Sequence, residues 1–474
     1  ARRRMTDPVA DVDQEVGDAV GLREAVRVGG VRTVAILAGL ATVDEIDSAF
    51  LSIFAPEIQE ALGISIGGLA AIGSVSGAVF VAGAVPIARL ADRANRSRIA
   101  VVATVVWSLA TAAIGFVQNV VQFVVARVVI GLGKSNTLPV HGSMLADAYP
   151  ENARGAVYAV HGASAPLGRV ISPLVVAGLA ALFAGDDGWR SVAVTIVVIP
   201  LAMAAVAALA LPEPERGAYE RRRVLGDESS ATDDGPPIAL SLAFARLRRI
   251  TTFDRIATGI GVIGFAIFSV PIFLSLVLEE HFGLEASQRA LVSTVSALAS
   301  LVVVPVGATY GGKLFARDPR APLRLMGGAV VLSSSLMCVA LFMPTAPLLT
   351  LLFALGGAIT TATWVTLFVV IASIVPARLR AQGFSLLGVY VFVIGGFFGS
   401  IVAGIVADTI GVRPAIPVVL LPVAVLGGLL VASAGETIER DMQRVVDDIR
   451  EEAEELERRT ASAELPVLQV KALN

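Results

Sequence analysis

Cysteine and charge are scarce in this chain. It has one cysteine, Cys338, and three histidines in 474 residues, and 16% of its residues are charged, whereas 55% are hydrophobic. A single cysteine excludes a disulfide framework and a cysteine metal site. A soluble fold of this composition would expose too much apolar surface. The sequence GKS at residues 133–135 lacks the earlier glycine of a phosphate loop. We therefore expect no metal, no cofactor, no enzymatic activity and no nucleic-acid partner.

Long apolar stretches account for most of the chain. A hydrocarbon core of about 30 Å needs about 20 helical residues to span it. Stretches of that length form one set of six, a polar interruption and a second set of six. They lie near residues 33–58, 66–91, 98–117, 120–147, 154–183, 190–211, 254–280, 287–316, 322–343, 346–374, 380–408 and 413–433. The sequence therefore predicts an all-α membrane protein with twelve transmembrane helices.

Arginine residues predict the orientation of these helices. They concentrate in alternate connections, at Arg93, Arg96, Arg98, Arg154, Arg221, Arg222, Arg223, Arg248, Arg249, Arg317, Arg320, Arg378 and Arg380. By the positive-inside rule, these connections and both termini are cytoplasmic. The first thirty residues are polar and lack the hydrophobic region of a signal peptide, so the first span is the expected insertion signal. We expect a multi-pass protein of the cell (plasma) membrane.

The polar interruption divides the chain into two halves. It combines charge, proline and small polar residues, a composition typical of a flexible linker. After Gly435 apolar residues recur every three to four positions, which predicts an amphipathic helix, either free or docked on a partner or on the underside of the protein. We assign a cytoplasmic segment to 1–30, helix bundles to 31–211 and 251–433, a cytoplasmic linker to 212–250 and the amphipathic helix to 434–464.

Two six-span halves joined by a long loop resemble the plan of the major facilitator superfamily. The loop ARLADRANRSR, residues 88–98, is similar to the signature that follows span two in that superfamily, through Asp92, Arg93 and Arg96. The resemblance implies the major facilitator fold, with two six-helix pseudo-repeats that open a central cavity alternately to each side. An aspartate at a helix end facing basic residues can latch one conformation. Ordinary solvated loop charges are the alternative.

The fourth span resembles a narrower group, the Spinster-type facilitators. The matching positions are Arg127, Gly131, Gly133, Ala146, Asp147 and Arg154, and in the first span Asp47. We add Asp147 and Arg154 to the candidate latch. Two positions depart from the family, because Lys134 replaces an acidic residue and Ser48 replaces a basic one. The resemblance implies transport of a lysophospholipid or related lipid.

Charged residues within the spans are concentrated in the first half. Asp44, Glu45 and Asp47 lie in the first span, and Arg127 lies in the fourth. A charge near the bilayer centre costs about 2.5 to 3.5 kcal/mol on insertion scales, so we expect these residues to pair across a cavity. Burial disfavours a charged carboxylate and a nearby cation favours it, so separation of Asp47 from Arg127 would promote proton uptake. We assign proton coupling to these four residues, with a static ion-pair cluster as the alternative.

Further polar side chains within the spans are candidates for substrate binding. The first half supplies Lys134, His141, His161 and Arg169, and the second half supplies Thr363, Trp364 and Tyr390. The basic set favours an anionic or zwitterionic group, and the nearly uncharged second half favours an apolar portion, which together suit an amphiphile. A lipid-packed surface explains the apolar part equally well. Each histidine is alternatively a hydrogen-bonding group between helices.

The sequence supports a main interpretation and two alternatives. The main one is a proton-coupled secondary transporter for a small amphiphile, with membrane lipids as its surroundings. A transporter of organic anions or an exporter of drugs is the first alternative. The second depends on residues 465–474, which are similar to the opening strand of an ABC-type ATPase domain. That similarity implies a truncated ATPase domain, and hence a membrane subunit or scaffold with a cytoplasmic ATPase as partner.

Overall fold

The computed structural model describes residues 22–183, 185, 187–216, 240–375, 383, 386–444 and 447. Most of the predicted linker, most of the predicted tail helix and the whole predicted ATPase strand at 465–474 lie outside these residues.

The first half consists of helices that form six consecutive spans. Their bounds are α1 Leu22–Gly29, α2 Arg32–Val43, α3 Glu45–Ile53, α4 Ala55–Leu62, α5 Ile66–Ala91, α6 Arg96–Ile114, α7 Val120–Lys134, α8 Gly142–Ala148, α9 Glu151–Gly162, α10 Ser164–Leu182, α11 Gly188–Ile196 and α12 Val198–Ala210. A π-helical turn, Thr137–His141, joins α7 to α8. The spans in order are α2–α4, α5, α6, α7–α8, α9–α10 and α11–α12.

The second half repeats this plan. Its helices are α13 Leu240–Leu247, α14 Thr251–Phe268, α15 Val270–Phe282, α16 Ala286–Arg317, α17 Arg320–Ala340, α18 Ala346–Ile374, α19 Gly399–Ile410 and α20 Val412–Ser433. A π-helix, Val389–Phe398, precedes α19. The seventh span is α14–α15, the eleventh is the π-helix with α19, and α16, α17, α18 and α20 are the eighth, ninth, tenth and twelfth.

Eleven helices among the described residues are long and apolar enough to cross a membrane. The first predicted span is the twelfth, but it is a segmented helix over residues 32–62, with breaks at Asp44 and Phe54. Pro56 contributes to the second break because proline cannot donate a backbone hydrogen bond to the preceding turn. The all-helical architecture therefore agrees with the predicted fold class.

Each half has its own apolar core. One cluster of buried side chains comes almost entirely from the second half, and two others come almost entirely from the first. The halves meet where the fifth span packs on the eighth and the second packs on the eleventh. Two cores with a thinner seam between them suit two bodies that move relative to one another.

The two ends of the bundle differ in their turns. We call one the glycine end, because Gly63, Gly185, Gly283 and Gly411 adopt positive φ in its connections. We call the other the arginine end, where Arg93 and Arg96 lie after α5. At the glycine end the halves contact through bare backbone, since a Cβ added to Gly67 would lie 2.8 Å from the carbonyl carbon of Gly404. Asp408 also accepts a hydrogen bond from the Ile66 amide at 3.1 Å.

The predicted tail helix begins at the arginine end and docks on the underside of the second half. Residues 438–444 and 447 are helical, and Ile438 is fully buried against the second-half core. Asp441, which is 2% exposed, accepts a hydrogen bond from the Thr252 amide at 2.8 Å in the first turn of α14. The Thr437 hydroxyl lies 2.7 Å from that of Thr252. This part of the tail therefore lies against the protein itself, the arrangement that one of the predicted alternatives describes.

Replacing Asp441 with alanine should lower the thermal unfolding midpoint of the purified protein in detergent. Loss of a carboxylate that caps a helix start costs about 1 kcal/mol, within a range of about 0.5 to 2. The matched control is Asp447→Ala, because Asp447 is exposed and accepts a side-chain hydrogen bond from Gln443 on its own helix. Equal midpoints for the two variants would show that the docked helix does not stabilise the bundle.

Candidate functional site

An ion pair buried between the first and fourth spans forms the centre of the site. Asp47 is fully buried and Arg127 is 3% exposed. The Arg127 Nη1 lies 2.9 Å from each carboxylate oxygen of Asp47, and Nη2 donates to the Gly73 carbonyl at 3.2 Å. Among the described residues the buried Arg127 Nε has no hydrogen-bond partner. The structure thus brings together the two residues that the sequence predicted to pair.

Lys134 is a second cation on the same carboxylate. Its ammonium lies 3.3 Å from Asp47 Oδ2 and 2.6 Å from the carbonyl oxygen of Asp44. It also lies 5.0 Å from the centre of the Trp107 ring. The Asp44 carbonyl is available because the first span breaks at this residue, and a side chain that inserts into the helical hydrogen-bond ladder is a recognised cause of such a break. One buried aspartate therefore pairs with two cations, and the group of three side chains carries one excess positive charge when all three are ionised.

The Asp44 carboxylate takes a different partner from that of Asp47. Its Oδ2 accepts a hydrogen bond from the Thr137 hydroxyl at 3.0 Å. Thr137 begins the π-helical turn of the fourth span, and such turns are frequent at functional sites. Thr137 was not among the predicted site residues. Its position one turn after Lys134 is the sequence feature that could have identified it.

Glycines let the fourth span approach its neighbours closely. A Cβ on Gly131 would lie 2.6 Å from the Ser76 carbonyl oxygen, and one on Gly133 would lie 2.7 Å from the Trp107 Cβ. The Ser76 hydroxyl in turn donates to the Arg127 carbonyl at 2.7 Å. These contacts fix the height and rotation of the helix that carries both cations.

Glu45 and Arg169 form a separate, looser pair between the first and fifth spans. Arg169 Nε lies 3.6 Å from Glu45 Oε2, and the two side chains are 50% and 22% exposed. Gly168 permits the approach, because a Cβ there would lie 3.0 Å from the Glu45 Cβ. Glu45, predicted as a coupling residue, thus contacts a cation other than Arg127.

The two histidines of the site contact each other. His141 Nδ1 lies 3.1 Å from His161 Nε2, and the rings are nearly perpendicular at 89°. His141 is 2% exposed, whereas His161 is partly exposed. In such a contact one nitrogen donates and the other accepts, so the two rings cannot both carry a second proton while it persists. The geometry matches the predicted alternative of a hydrogen bond between helices.

The candidate latch residues lie at the arginine end, and the structure brings only some of them together. Arg96 is buried and pairs with Asp147 at 2.5 Å. It also pairs with Glu213 at 2.8 Å, a residue that the sequence analysis did not identify. Arg154 donates to the carbonyl oxygens of Ala146 and Tyr149. These contacts lie within the first half, apart from that with Glu213, which follows its last helix.

The other two latch residues, Asp92 and Arg93, are exposed. The backbone carbonyl of Asp92 accepts a hydrogen bond from Arg216. Among the candidate latch residues, the ion pair that the structure shows is therefore that of Arg96 with Asp147.

The predicted substrate residues of the second half differ in exposure. Thr363 is 3% exposed, and its hydroxyl donates to the Ile359 carbonyl at 3.0 Å. Trp364 and Tyr390 are partly exposed and pack against the second-half core. In this conformation Thr363 faces its own helix backbone, so Trp364 and Tyr390 are the better placed of the three to contact a substrate.

A polar cluster that the sequence analysis missed joins the two halves at the glycine end. Arg289 is 2% exposed and pairs with Glu57 at 2.5 Å. Its Nε and Nη2 also donate to the Ile53 carbonyl, at 3.2 and 3.0 Å, and the Ser275 hydroxyl donates to the same oxygen at 3.0 Å. The Ile53 carbonyl lies just before the helix break at Phe54. Pro56 is the residue in the sequence that indicates this break. We call these four residues the glycine-end gate.

A metal centre finds no support in the described part of the chain, where no group of three or more His, Cys, Asp or Glu residues could hold an ion.

Comparison with known proteins places the chain among transporters. The family model described as Major Facilitator Superfamily matches residues 37–399. The Probable sulfoacetate transporter SauU of Cupriavidus necator is 26% identical over 62% of this chain and 68% of its own length. The cis,cis-muconate transport protein of Acinetobacter baylyi is 26% identical over 54% of this chain and 60% of its own.

Among solved structures, the chain is similar to a bacterial homolog of the human lysosomal transporter Spinster in an inward-facing and unoccupied conformation. That match has a TM-score of 0.70 at 19% identity, and it covers 86% of this chain and 97% of that one. At this identity the similarity supports the fold and no particular substrate.

Proposed function

Because this chain belongs to the Major Facilitator Superfamily, we propose that it is a secondary transporter that couples the movement of a small organic anion to that of protons. The observation that carries this proposal is the buried group in which Asp47 pairs with both Arg127 and Lys134 and leaves one excess positive charge. A buried ion pair stabilises a fold no better than apolar packing of the same volume, so its use as a coupling device is the stronger explanation.

Electrostatics link the proton to the anion in this proposal. An anion that enters beside Asp47 adds a second negative charge and competes with the carboxylate for Arg127 and Lys134. A carboxylate that loses its cations and gains an anionic neighbour takes up a proton more readily. Anion and proton therefore bind together, and the pair crosses with one negative charge fewer than the anion alone.

The substrate class is supported by the relatives. Sulfoacetate and muconate are small molecules with two acidic groups, and those are the compounds named for the two relatives above. The site supplies the complementary charge through Lys134 and Arg169. The organic anion, an alternative at the level of sequence, therefore becomes our first substrate class. Lysophospholipid becomes the second, because its support is the sequence resemblance to Spinster-type facilitators.

Orientation and state follow from the distribution of charge and of contacts between the halves. The positive-inside rule places the arginine end, and with it the tail helix, on the cytoplasmic side of the plasma membrane. The glycine-end gate and the hydrogen bond from the Ile66 amide to Asp408 join the halves on the opposite side. We infer that the structure represents an inward-facing state. The ATPase-subunit alternative depends on residues 465–474, which lie outside the described residues.

Uptake into proteoliposomes tests the proposal. Radiolabelled sulfoacetate, muconate and a lysophospholipid are supplied outside at acidic pH, with an alkaline interior and without ATP. We expect accumulation of at least one of the two anions, and its loss when a protonophore collapses the gradient. Accumulation of the lysophospholipid alone would overturn the substrate class, and anion uptake that ignores the gradient would overturn proton coupling. If none of the three compounds is transported, the result favours the alternative of a membrane subunit or scaffold.

A further inference from the structure

Arg169 is the most accessible of the three cations that lie close to the carboxylates of the first span. Its side chain is 50% exposed, whereas those of Arg127 and Lys134 are 3% and 13% exposed. Arg127 and Lys134 lie 2.9 and 3.3 Å from Asp47. The Arg169 Nε and Glu45 Oε2 are 3.6 Å apart. That separation exceeds the usual hydrogen-bond length of about 2.7 to 3.2 Å. A guanidinium has five N–H donors, so Arg169 retains capacity for another acceptor.

The exposed side of Arg169 faces the interior of the protein and not the lipid. Leu167, Ile171 and Leu174, which are 44%, 40% and 47% exposed, form one apolar stripe along α10. Arg169 lies two residues from both Leu167 and Ile171, which places it about 200° around the helix from each, at 100° per residue. Its neighbour on that side is Glu45 of the first span. The exposure therefore reports an internal space that water reaches.

The first span lines the same space. Ser48 is exposed and Glu45 is partly exposed, whereas the adjacent Ile46 and Asp47 are buried. Ser48 lies three residues after Glu45, about 60° away around the helix. Glu45, Ser48 and Arg169 thus form a polar wall beside the buried Asp47.

We propose that Arg169 binds the carboxylate or sulfonate of the transported substrate, and that Glu45 is the internal anion that the substrate displaces. A loose ion pair in contact with water contributes little stability, so its exchange is easy. A carboxylate that engages the guanidinium through two parallel hydrogen bonds forms the stronger contact. Glu45 thereby occupies the site between cycles and sets the apparent affinity. This assignment rests on the proposed transport of an organic anion and specifies its binding residue.

Protection of a cysteine beside Arg169 tests the assignment directly. The chain has a single cysteine, Cys338, which is buried, so the variant Cys338→Ala/Ser48→Cys has one reactive thiol in the polar wall. N-ethylmaleimide, which is uncharged, labels that thiol, and sulfoacetate or muconate competes. We expect labelling that either anion slows in a saturable way.

Further substitutions in this background separate binding from folding. Arg169→Gln should raise the anion concentration for half-protection at least about tenfold, and Arg169→Lys should raise it less, since an arginine–carboxylate pair is stronger than its lysine counterpart. Glu45→Gln should lower that concentration by about threefold, because the substrate no longer has to displace a carboxylate from Arg169. Arg248→Gln is the matched control, because Arg248 is also exposed and pairs with Asp254 at 3.5 Å, outside this wall. It should leave half-protection unchanged.

Each failure points to one of the two proposals. No labelling of Ser48→Cys, labelling that neither anion slows, or equal protection with Arg169→Gln overturns the role of Arg169. Protection without proton-driven uptake overturns the proposed function and leaves the binding assignment standing. Uptake by Arg169→Gln with an unchanged KM overturns the binding assignment and leaves the function standing.

Discussion

Replacing Asp47 with asparagine is expected to reduce proton-driven anion uptake at least about a hundredfold. The amide cannot exchange a proton, and it leaves Arg127 and Lys134 without the carboxylate that pairs with both. Removing one partner of a buried ion pair costs about 3 to 5 kcal/mol, so the folded state is also destabilised. Initial rates of uptake under an imposed pH gradient, normalised to folded protein by size-exclusion chromatography, measure the effect.

Two further variants separate coupling from stability. Asp47→Glu keeps the charge and should retain part of the uptake. Asp47→Asn/Arg127→Gln removes one charge of each sign, so it should unfold at a higher temperature than Asp47→Asn while transporting no better. Normal gradient-driven uptake by Asp47→Asn would show that the group is a static cluster, the alternative considered from sequence.

Replacing Arg289 with methionine is expected to open the glycine end. The substitution removes the partner of Glu57 and two of the donors to the Ile53 carbonyl, all of which join the two halves. If the loss weakens this closed end by about 3 kcal/mol, the ratio of closed to open molecules changes about a hundredfold. Spin labels at Glu60→Cys and Glu280→Cys, both exposed at this end, report the change as a longer distance in pulsed electron paramagnetic resonance.

Arg190→Met is the matched control for the gate. Arg190 also lies at the glycine end, donates to the Val117 carbonyl at 2.6 Å and stacks on Trp189, but these partners belong to the first half. It should lower the stability of the protein without lengthening the distance between the labels. If Arg289→Met leaves that distance unchanged as well, the cluster does not hold the halves together.

The fold and the centre of the site could be predicted from sequence because both depend on the cost of placing charge in lipid. Apolar stretches of membrane-spanning length fix the number of spans. Placing the charges of Asp47 and Arg127 in a bilayer is energetically unfavourable, so the two residues are expected to pair with each other. The same reasoning identified Lys134, Glu45 and Arg169, although it did not divide them into a tight group and a loose pair.

The remaining contacts depend on geometry that residue types do not encode. The Ile53 carbonyl becomes the acceptor for Arg289 at a helix break, and a backbone oxygen leaves no trace in composition. His141 meets His161 after a π-helical turn that alters the helical period on which spacing arguments rest. Glu213 lies just past the sixth span in what reads as linker, yet it binds Arg96. Partners of this kind can be identified only in the three-dimensional structure.

The departures from the Spinster-type pattern have a common electrostatic meaning. Lys134 adds a cation beside Asp47, and Ser48 leaves an uncharged position that faces the polar wall. Since the basic residue expected at position 48 is absent, the exposed positive charge of this wall comes from Arg169 on the fifth span. The accessible cation of this wall therefore lies on the fifth span and not on the first.

The contact between Gly67 and Gly404 bears on how fast the transporter can turn over. Neither residue has a side chain, so at this crossing point no rotamer must change when the two helices separate. The polar contact beside this crossing point is the hydrogen bond from the Ile66 amide to Asp408, which separation of the helices must break. A bulky residue at Gly67 would therefore act as a wedge, altering the rate of switching between states more than the affinity for the cargo.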